Sequence, residues 1–301
     1  MQHSRHLVLG ACVASIALLA TGAAYAQPLN GTMQRIKETG EIRIGHRDVS
    51  VPFSYLTDDG KPIGFFMDIC ARVVDTIKAD LKQEVKVVLR PVTLSTQIPL
   101  LQNQGVDIVC GPATNTVERQ KQVSFSNTLY VSSIRAVVRR DSGINKFADL
   151  NDKTVALTAA STSISLLTKF EQEKKFETKK LTNPDHAQSF LMFSTGRAQA
   201  FVMDDILLAS QVANSAKPAD FKLIDEALRV EPYGLVMRKD DAQFKAAVDK
   251  TLAALVRSGD YQKLYAKWFE SPIPPKNVNL NFPMTAALKS VLASPNDKGI
   301  E

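Results

Sequence analysis

The feature that most restricts this chain is the order in which its hydrophobic period changes. Short apolar runs of strand length lie at 42–45, 85–89, 106–110, 134–139, 154–157, 179–181, 200–203, 221–224 and 233–237. Amphipathic stretches separate them at 67–81, 96–104, 161–173, 186–195 and 206–216, and a longer helical pattern fills 242–269 with an interruption at Ser258-Gly259-Asp260. Strand-then-helix order demands parallel sheets covered by helices, because each helix returns the chain to the start of the next strand. The expected class is α/β.

That order breaks twice. A first βαβαβ set ends near Cys110 and a second begins near Thr154, with an extended stretch, 125–140, between them. After Phe221 the chain is extended again through Glu231-Pro232-Tyr233-Gly234. Two extended crossings between two α/β units predict a double hinge. On this reading 27–130 plus 233–301 form one lobe and 131–232 the other. A cleft between lobes is a usual seat for a small molecule.

Residues 1–26 read as an export signal. Arg5 is the basic start, 7–20 is apolar, and Ala24-Tyr25-Ala26 has the small-x-small form of a cleavage site, so cleavage is expected after Ala26. The apolar run falls short of the roughly 20 residues a spanning helix needs. Leu9-Gly10-Ala11-Cys12 resembles a lipoprotein box but precedes most of the apolar run. Beyond Ala26 the cysteines are Cys70, on an apolar helix face, and Cys110, at the end of an apolar strand. Two buried thiols are the expectation, since free cysteine packs as a small hydrophobe; a disulfide in an exported chain is the alternative.

Much familiar chemistry is absent from the sequence. No two of the 14 glycines stand two residues apart, which excludes a G-x-G-x-x-G loop. There is no C-x-x-C, H-E-x-x-H or G-x-S-x-G, so neither a metal site nor a nucleophile elbow is expected. The 37 Lys+Arg exceed the 31 Asp+Glu by only 6, and the densest basic stretch, 174–180, is broken by Glu177, which argues against nucleic acid as a partner. No cofactor and no catalysis are expected.

What remains is a set of polar groups where strands end and helices begin. The run from Cys110 to Arg119 follows an apolar strand and enters a helical turn; Thr158-Ala159-Ala160-Ser161-Thr162-Ser163 does the same further on. Helix starts offer unpaired N–H groups to an anion, and Arg119 adds a planar fork for a carboxylate. Asp204, ending the run 200–203, supplies an acceptor for an ammonium. Together they would grip the backbone of a free amino acid. The competing reading is that Ser161, Thr162 and Asp204 merely cap helices.

Longer segments carry a resemblance: residues 45–55 (Gly-His-Arg-Asp-Val-Ser-Val-Pro-Phe-Ser-Tyr), Ile98-Pro99-Leu100-Leu101-Gln102-Asn103, 114–122, Phe147-Ala148-Asp149-Leu150, Phe201-Val202-Met203-Asp204-Asp205, and Lys267-Trp268-Phe269 followed by 271–277. In these the chain resembles the periplasmic solute-binding proteins of polar amino-acid ABC transporters, family 3, specifically the glutamate/aspartate branch. The resemblance implies a two-lobed type II binding-protein fold with two hinge strands, a monomer in the periplasm, and an inner-membrane ABC permease as partner. By position, Thr114, Arg119 and Thr162 would hold the α-carboxylate and Asp204 the α-ammonium. Arg47 and His186 would reach a side-chain carboxylate. Read without the resemblance, Arg47 is an exposed strand-end charge and His186 a residue near a helix cap.

Three positions depart from that pattern. Gln97 stands where an arginine is expected, Leu94 and Pro112 where serines are. Gln97 can still bond a carboxylate but brings no charge. Glutamate or aspartate is the expected ligand; glutamine, asparagine or another small dicarboxylate is the alternative. An exported enzyme of the same fold, akin to cyclohexadienyl dehydratase, is the rival from another class.

Overall fold

A computed structural model describes residues 28–301; the export signal and its cleavage site lie outside the described residues. Two sheets organise the chain. In the first, Lys86–Pro91, Glu41–His46 and Ile108–Val109 run parallel, and Val236–Arg238 joins antiparallel between Ile108–Val109 and Val123–Phe125. In the second, Lys179–Asn183, Thr154–Thr158 and Ala200–Asp204 run parallel, followed by antiparallel Tyr130–Arg139 and Phe221–Leu223. The strand-then-helix order is thus realised in both units.

The two extended crossings pair with each other. Val230–Tyr233 runs antiparallel to the start of Tyr130–Arg139, with Tyr233 opposite Tyr130 and Val230 opposite Ser133. The run 233–237, expected as one strand, is two: Val230–Tyr233 belongs to the second sheet and Val236–Arg238 to the first. The switch falls at Gly234, whose N–H donates to the Ala113 carbonyl at 3.3 Å, while Leu235 N donates to Ser126 Oγ at 3.0 Å. An apolar run cannot announce such a switch, because both halves are buried.

Aromatic packing fixes this crossing. Tyr130 stacks on Phe269 with centroids 5.2 Å apart, and Phe53 meets Tyr130 edge-on at 4.8 Å and Tyr233 at 5.6 Å. Tyr265 stacks on Phe269 at 4.3 Å, and the Tyr261 hydroxyl donates to the Leu129 carbonyl. Rings of this size dominate core energetics, so the final helices, Ala242–Ser258 and Asp260–Phe269, hold the hinge from beneath. They are separate because Gly259 takes the left-handed φ of +79° that ends the first.

The cysteines correct an expectation. Cys70, on the helix Phe65–Leu81, and Cys110, just after Ile108–Val109, form a disulfide and not two free thiols. The helix face that buries Cys70 packs over the end of that strand, which brings the two Cα atoms to 6.3 Å, within bonding reach. Among the described residues no helix is long and apolar enough to cross a membrane.

Candidate functional site

Every expected site residue follows the carboxyl end of a parallel strand or opens the helix after it. Arg47 follows Glu41–His46, Gln97 opens the helix after Lys86–Pro91, and Thr114 and Arg119 follow Ile108–Val109. From the second sheet, Thr162 follows Thr154–Thr158, His186 follows Lys179–Asn183, and Asp204 ends Ala200–Asp204. Ligands of open α/β sheets sit at these carboxyl ends. Here the two sets of ends face one another across two adjoining cavities.

One cavity, of about 260 Å³, is walled by Thr114 and Arg119 from one side, by Thr162, Asp204 and His186 from the other, and by Tyr233 of the crossing strand. The second, of about 420 Å³, shares Leu94 and His186 with it and is walled further by Arg47, Asp48 and Thr158. Six of the seven expected residues therefore line one continuous cleft. Gln97 sits behind it, buried, its side-chain oxygen accepting from Arg47 Nη2 at 2.8 Å. Leu94 and Pro112, two of the departures from the family pattern, also line the wall.

The residues considered as helix caps serve another purpose. Neither Ser161 nor Asp204 makes a capping hydrogen bond. Five buried side-chain polar atoms lack a partner among the described residues. Four of them belong to residues lining this cleft: Arg47 Nε, Ser161 Oγ, Asp204 Oδ1 and the Tyr233 hydroxyl. Buried polar groups are ordinarily satisfied, so this concentration sets the cleft apart from the rest of the interior.

The charges are held under strain of desolvation. Arg47 is 4% exposed and no strand-end surface charge. Burial, with the neighbouring Arg119 next, pulls its guanidinium down to about 9. Its side-chain partner, Gln97, is neutral. Gly111 makes room for it: a Cβ there would stand 2.6 Å from Arg47 Cγ. Arg119 donates to the Thr114 carbonyl at 2.9 Å and to the Ala160 carbonyl at 3.0 Å, touching both sides of the cleft, and burial lowers its pKa as well. Burial first, then Glu231, holds the Asp204 carboxyl well above the usual carboxylate range. His186 is held neutral, down to about 4, by burial and by Arg47, against a weaker opposing pull from Asp185.

Sequence reasoning missed Glu231 and Tyr233. Glu231 is fully buried, and its Oε2 accepts from both Thr114 Oγ1 at 2.6 Å and Thr162 Oγ1 at 2.8 Å, while Arg229 clasps Oε1. Each threonine has a single hydroxyl proton, and Glu231 takes it. Both hydroxyls therefore turn lone pairs to the cleft, which suits an ammonium. Carboxylate donors are left to Arg119 and to the helix start at Thr162. The one available signal for Glu231 was a charged residue inside an otherwise apolar extended run.

Two facing walls thus bring the guanidinium of Arg119, the carboxyl of Asp204 and the buried guanidinium of Arg47 to one cleft beside the crossing strands. Residues 42–271 match the bacterial extracellular solute-binding proteins, family 3, and the chain belongs to that family. It is 46% identical over 290 residues to the L-glutamate/L-aspartate-binding protein of Pseudomonas aeruginosa, covering 96% of each chain. It is 41% identical over 293 residues to the glutamate/aspartate import solute-binding protein of Escherichia coli, covering 95% of this chain and 97% of that one. The fold is similar to the crystal structure of an ancestral amino acid-binding protein, AncCDT-1, a precursor of cyclohexadienyl dehydratase, at TM-score 0.70 and 30% identity over 79% of this chain and 99% of that one. The architecture is the two-lobed type II binding-protein fold.

Proposed function

We propose that this protein is the periplasmic ligand-binding subunit of an ABC importer, a monomer that captures glutamate or aspartate between its lobes and delivers it to an inner-membrane permease. One lobe is 27–130 with 233–301 and the other 131–232. The observation that carries the choice of an acidic ligand is Arg47, a buried guanidinium whose side-chain partner is the neutral Gln97. Asp48 is the acidic neighbour of Arg47 in this cavity, yet no carboxylate is bonded to the guanidinium, and a ligand side-chain carboxylate supplies that bond. At the other end Arg119 and the helix start at Thr162 take the α-carboxylate. Asp204 and the two threonine oxygens take the α-ammonium.

Closure follows from this division. A ligand touching both walls makes all its bonds only when the lobes meet, so it draws the population toward the closed form. A thermal-shift panel of all free amino acids and small dicarboxylates tests the reading, because a ligand that binds only the folded state raises the melting point. Glutamate and aspartate should give the largest shifts. A larger shift with glutamine or asparagine would replace the acidic reading with the amide one.

Catalysis is not part of this proposal. An exported dehydratase in the same cleft would need a proton donor, and Asp204, whose carboxyl burial and Glu231 push upward, is the group that could serve. Turnover of prephenate or arogenate by the purified protein would establish that rival.

A further inference from the structure

The position of one proton in the cleft is decided by a chain of hydrogen bonds behind it. His186 Nδ1 lies 3.1 Å from Thr158 Oγ1, and Thr158 Oγ1 lies 3.0 Å from Ser189 Oγ. Ser189 Oγ in turn lies 3.0 Å from two backbone carbonyls, of Leu157 and Asp185, and has one proton to give to either. Carbonyls only accept, so the single proton of Ser189 points to them. Ser189 then receives from Thr158, which spends the single Thr158 proton. Thr158 can therefore only accept from His186, and Nδ1 must carry the hydrogen.

The other ring nitrogen is left bare. Nε2 has no hydrogen-bond partner among the described residues, yet it is not among the sealed orphan atoms, so it reaches the surface of the cleft that His186 lines. A neutral ring with its lone pair outward accepts a hydrogen bond and cannot donate one. A ligand carboxylate meeting that lone pair is repelled unless a proton lies between them.

We infer that Thr158 and Ser189 are positioning residues that lock His186 in its Nδ1–H tautomer, and that an acidic ligand binds only together with a proton, taken from water onto Nε2. This inference rests on the proposed acidic ligand. The charged groups around the ring are Arg47 and Asp48 from the opposite wall, Asp185 on its own helix, and Arg119 and Asp204 across the adjoining cavity. Arg47 opposes the uptake until the ligand carboxylate neutralises it, which makes proton and ligand arrive as a pair. Ring neutrality in the unliganded protein agrees with the hydrogen-bond chain.

Long-range proton–nitrogen correlation spectra of the imidazole tests this, with the His186 signals assigned by their loss in His186→Gln. At pH 7 the unliganded ring should show a protonated Nδ1 and a bare Nε2. Saturation with L-glutamate should move both nitrogens to the imidazolium position, and the affinity for glutamate should tighten about tenfold per pH unit lowered while uptake is complete. In Thr158→Val the unliganded ring should lose its single tautomer. An unliganded ring protonated on Nε2 would overturn the inference, and so would a ring that stays neutral in the glutamate complex. If glutamate does not bind at millimolar concentration, the acidic-ligand reading and the coupled uptake both fail, whereas the unliganded spectrum still decides the tautomer.

Discussion

Thr114 donates its hydroxyl proton to Glu231 Oε2 at 2.6 Å, and the same oxygen accepts from Thr162 at 2.8 Å on the far wall of the cleft. One carboxylate on the crossing strand thus spans both sets of strand ends. Its remaining oxygen is clasped by Arg229, whose Nη2 stands 2.6 Å away. Because Glu231 is fully buried, its charge is little screened, and the two threonines are oriented by charge-assisted bonds.

Glu231→Gln keeps the shape and removes the charge. Hydrogen bonds to charged groups contribute about 1.5–3 kcal/mol each, so losing that character at two threonines, with Arg229 left unpaired, should weaken glutamate binding at least tenfold. Calorimetric titration reads the affinity. The Asp204 carboxyl, pushed up in part by Glu231, should titrate lower in the variant. Unchanged affinity would reduce Glu231 to a structural hinge residue.

Arg119→Ala removes the fork that touches both walls through the Thr114 and Ala160 carbonyls. Stranding the ligand carboxylate without it should cost about 2–5 kcal/mol of binding. The check is the dissociation constant for the best ligand. An affinity within twofold of wild type would remove Arg119 from the site.

The elements that were legible in sequence are those that carry either a long amphipathic period or an unbroken apolar run. The helix Phe65–Leu81 repeats its apolar face over 17 residues and the strand Ala200–Asp204 is buried throughout, whereas Gly31–Thr39 and Ala286–Ala293 are only 9 and 8 residues long and bury three and two, too few for a period to stand out. Arg119 and Asp204 were reachable from strand-end chemistry alone. Arg47 and His186 came only through the family resemblance, because a cation after a strand and a histidine after Pro184-Asp185 are ordinarily surface features. Glu231, Thr158 and the Cys70–Cys110 bond depend on partners dozens of residues away, and local pattern carries no information about those.

The disulfide ties Cys110, directly before the turn that carries Gly111 and Thr114, to the helix behind it, across a sequence separation of 40. Closing a loop of that length stabilises the fold by about 4 kcal/mol in the chain-entropy account. The double variant Cys70→Ser with Cys110→Ser should lose about that much in urea unfolding, and reductant should lower the melting point of wild type but not of the variant.

Stability of the unliganded protein should fall in acid through His186. Its ring is held at about 4 in the folded state against an ordinary value of 6.5. Below pH 6.5 the unfolded chain takes a proton that the folded one refuses, so stability is lost as pH drops from about 6.5 to about 4. The whole loss is about 3 kcal/mol. Asp204, held high, works in the opposite direction, so comparing urea unfolding of wild type and His186→Gln at pH 7 and pH 4.5 isolates the histidine. A difference that does not change with pH would show that the ring titrates normally.

Gln97→Arg tests how the cleft chooses charge. Gln97 lies 2.8 Å from Arg47 and is 1% exposed, so an arginine there buries a second cation beside the first. Without ligand the two repel, and the melting point should drop. With glutamate or aspartate the side-chain carboxylate faces two cations in place of one, and the ligand-induced rise in melting point should exceed that of wild type. Glutamine has no charge to offer and should gain nothing. The measurement is the ratio of glutamate to glutamine affinity, which should rise about tenfold or more for one added charge-assisted bond of about 1.5 kcal/mol. An unchanged ratio would mean that Gln97 lies too far behind the wall to influence the ligand, and that Arg47 and His186 alone select the acid.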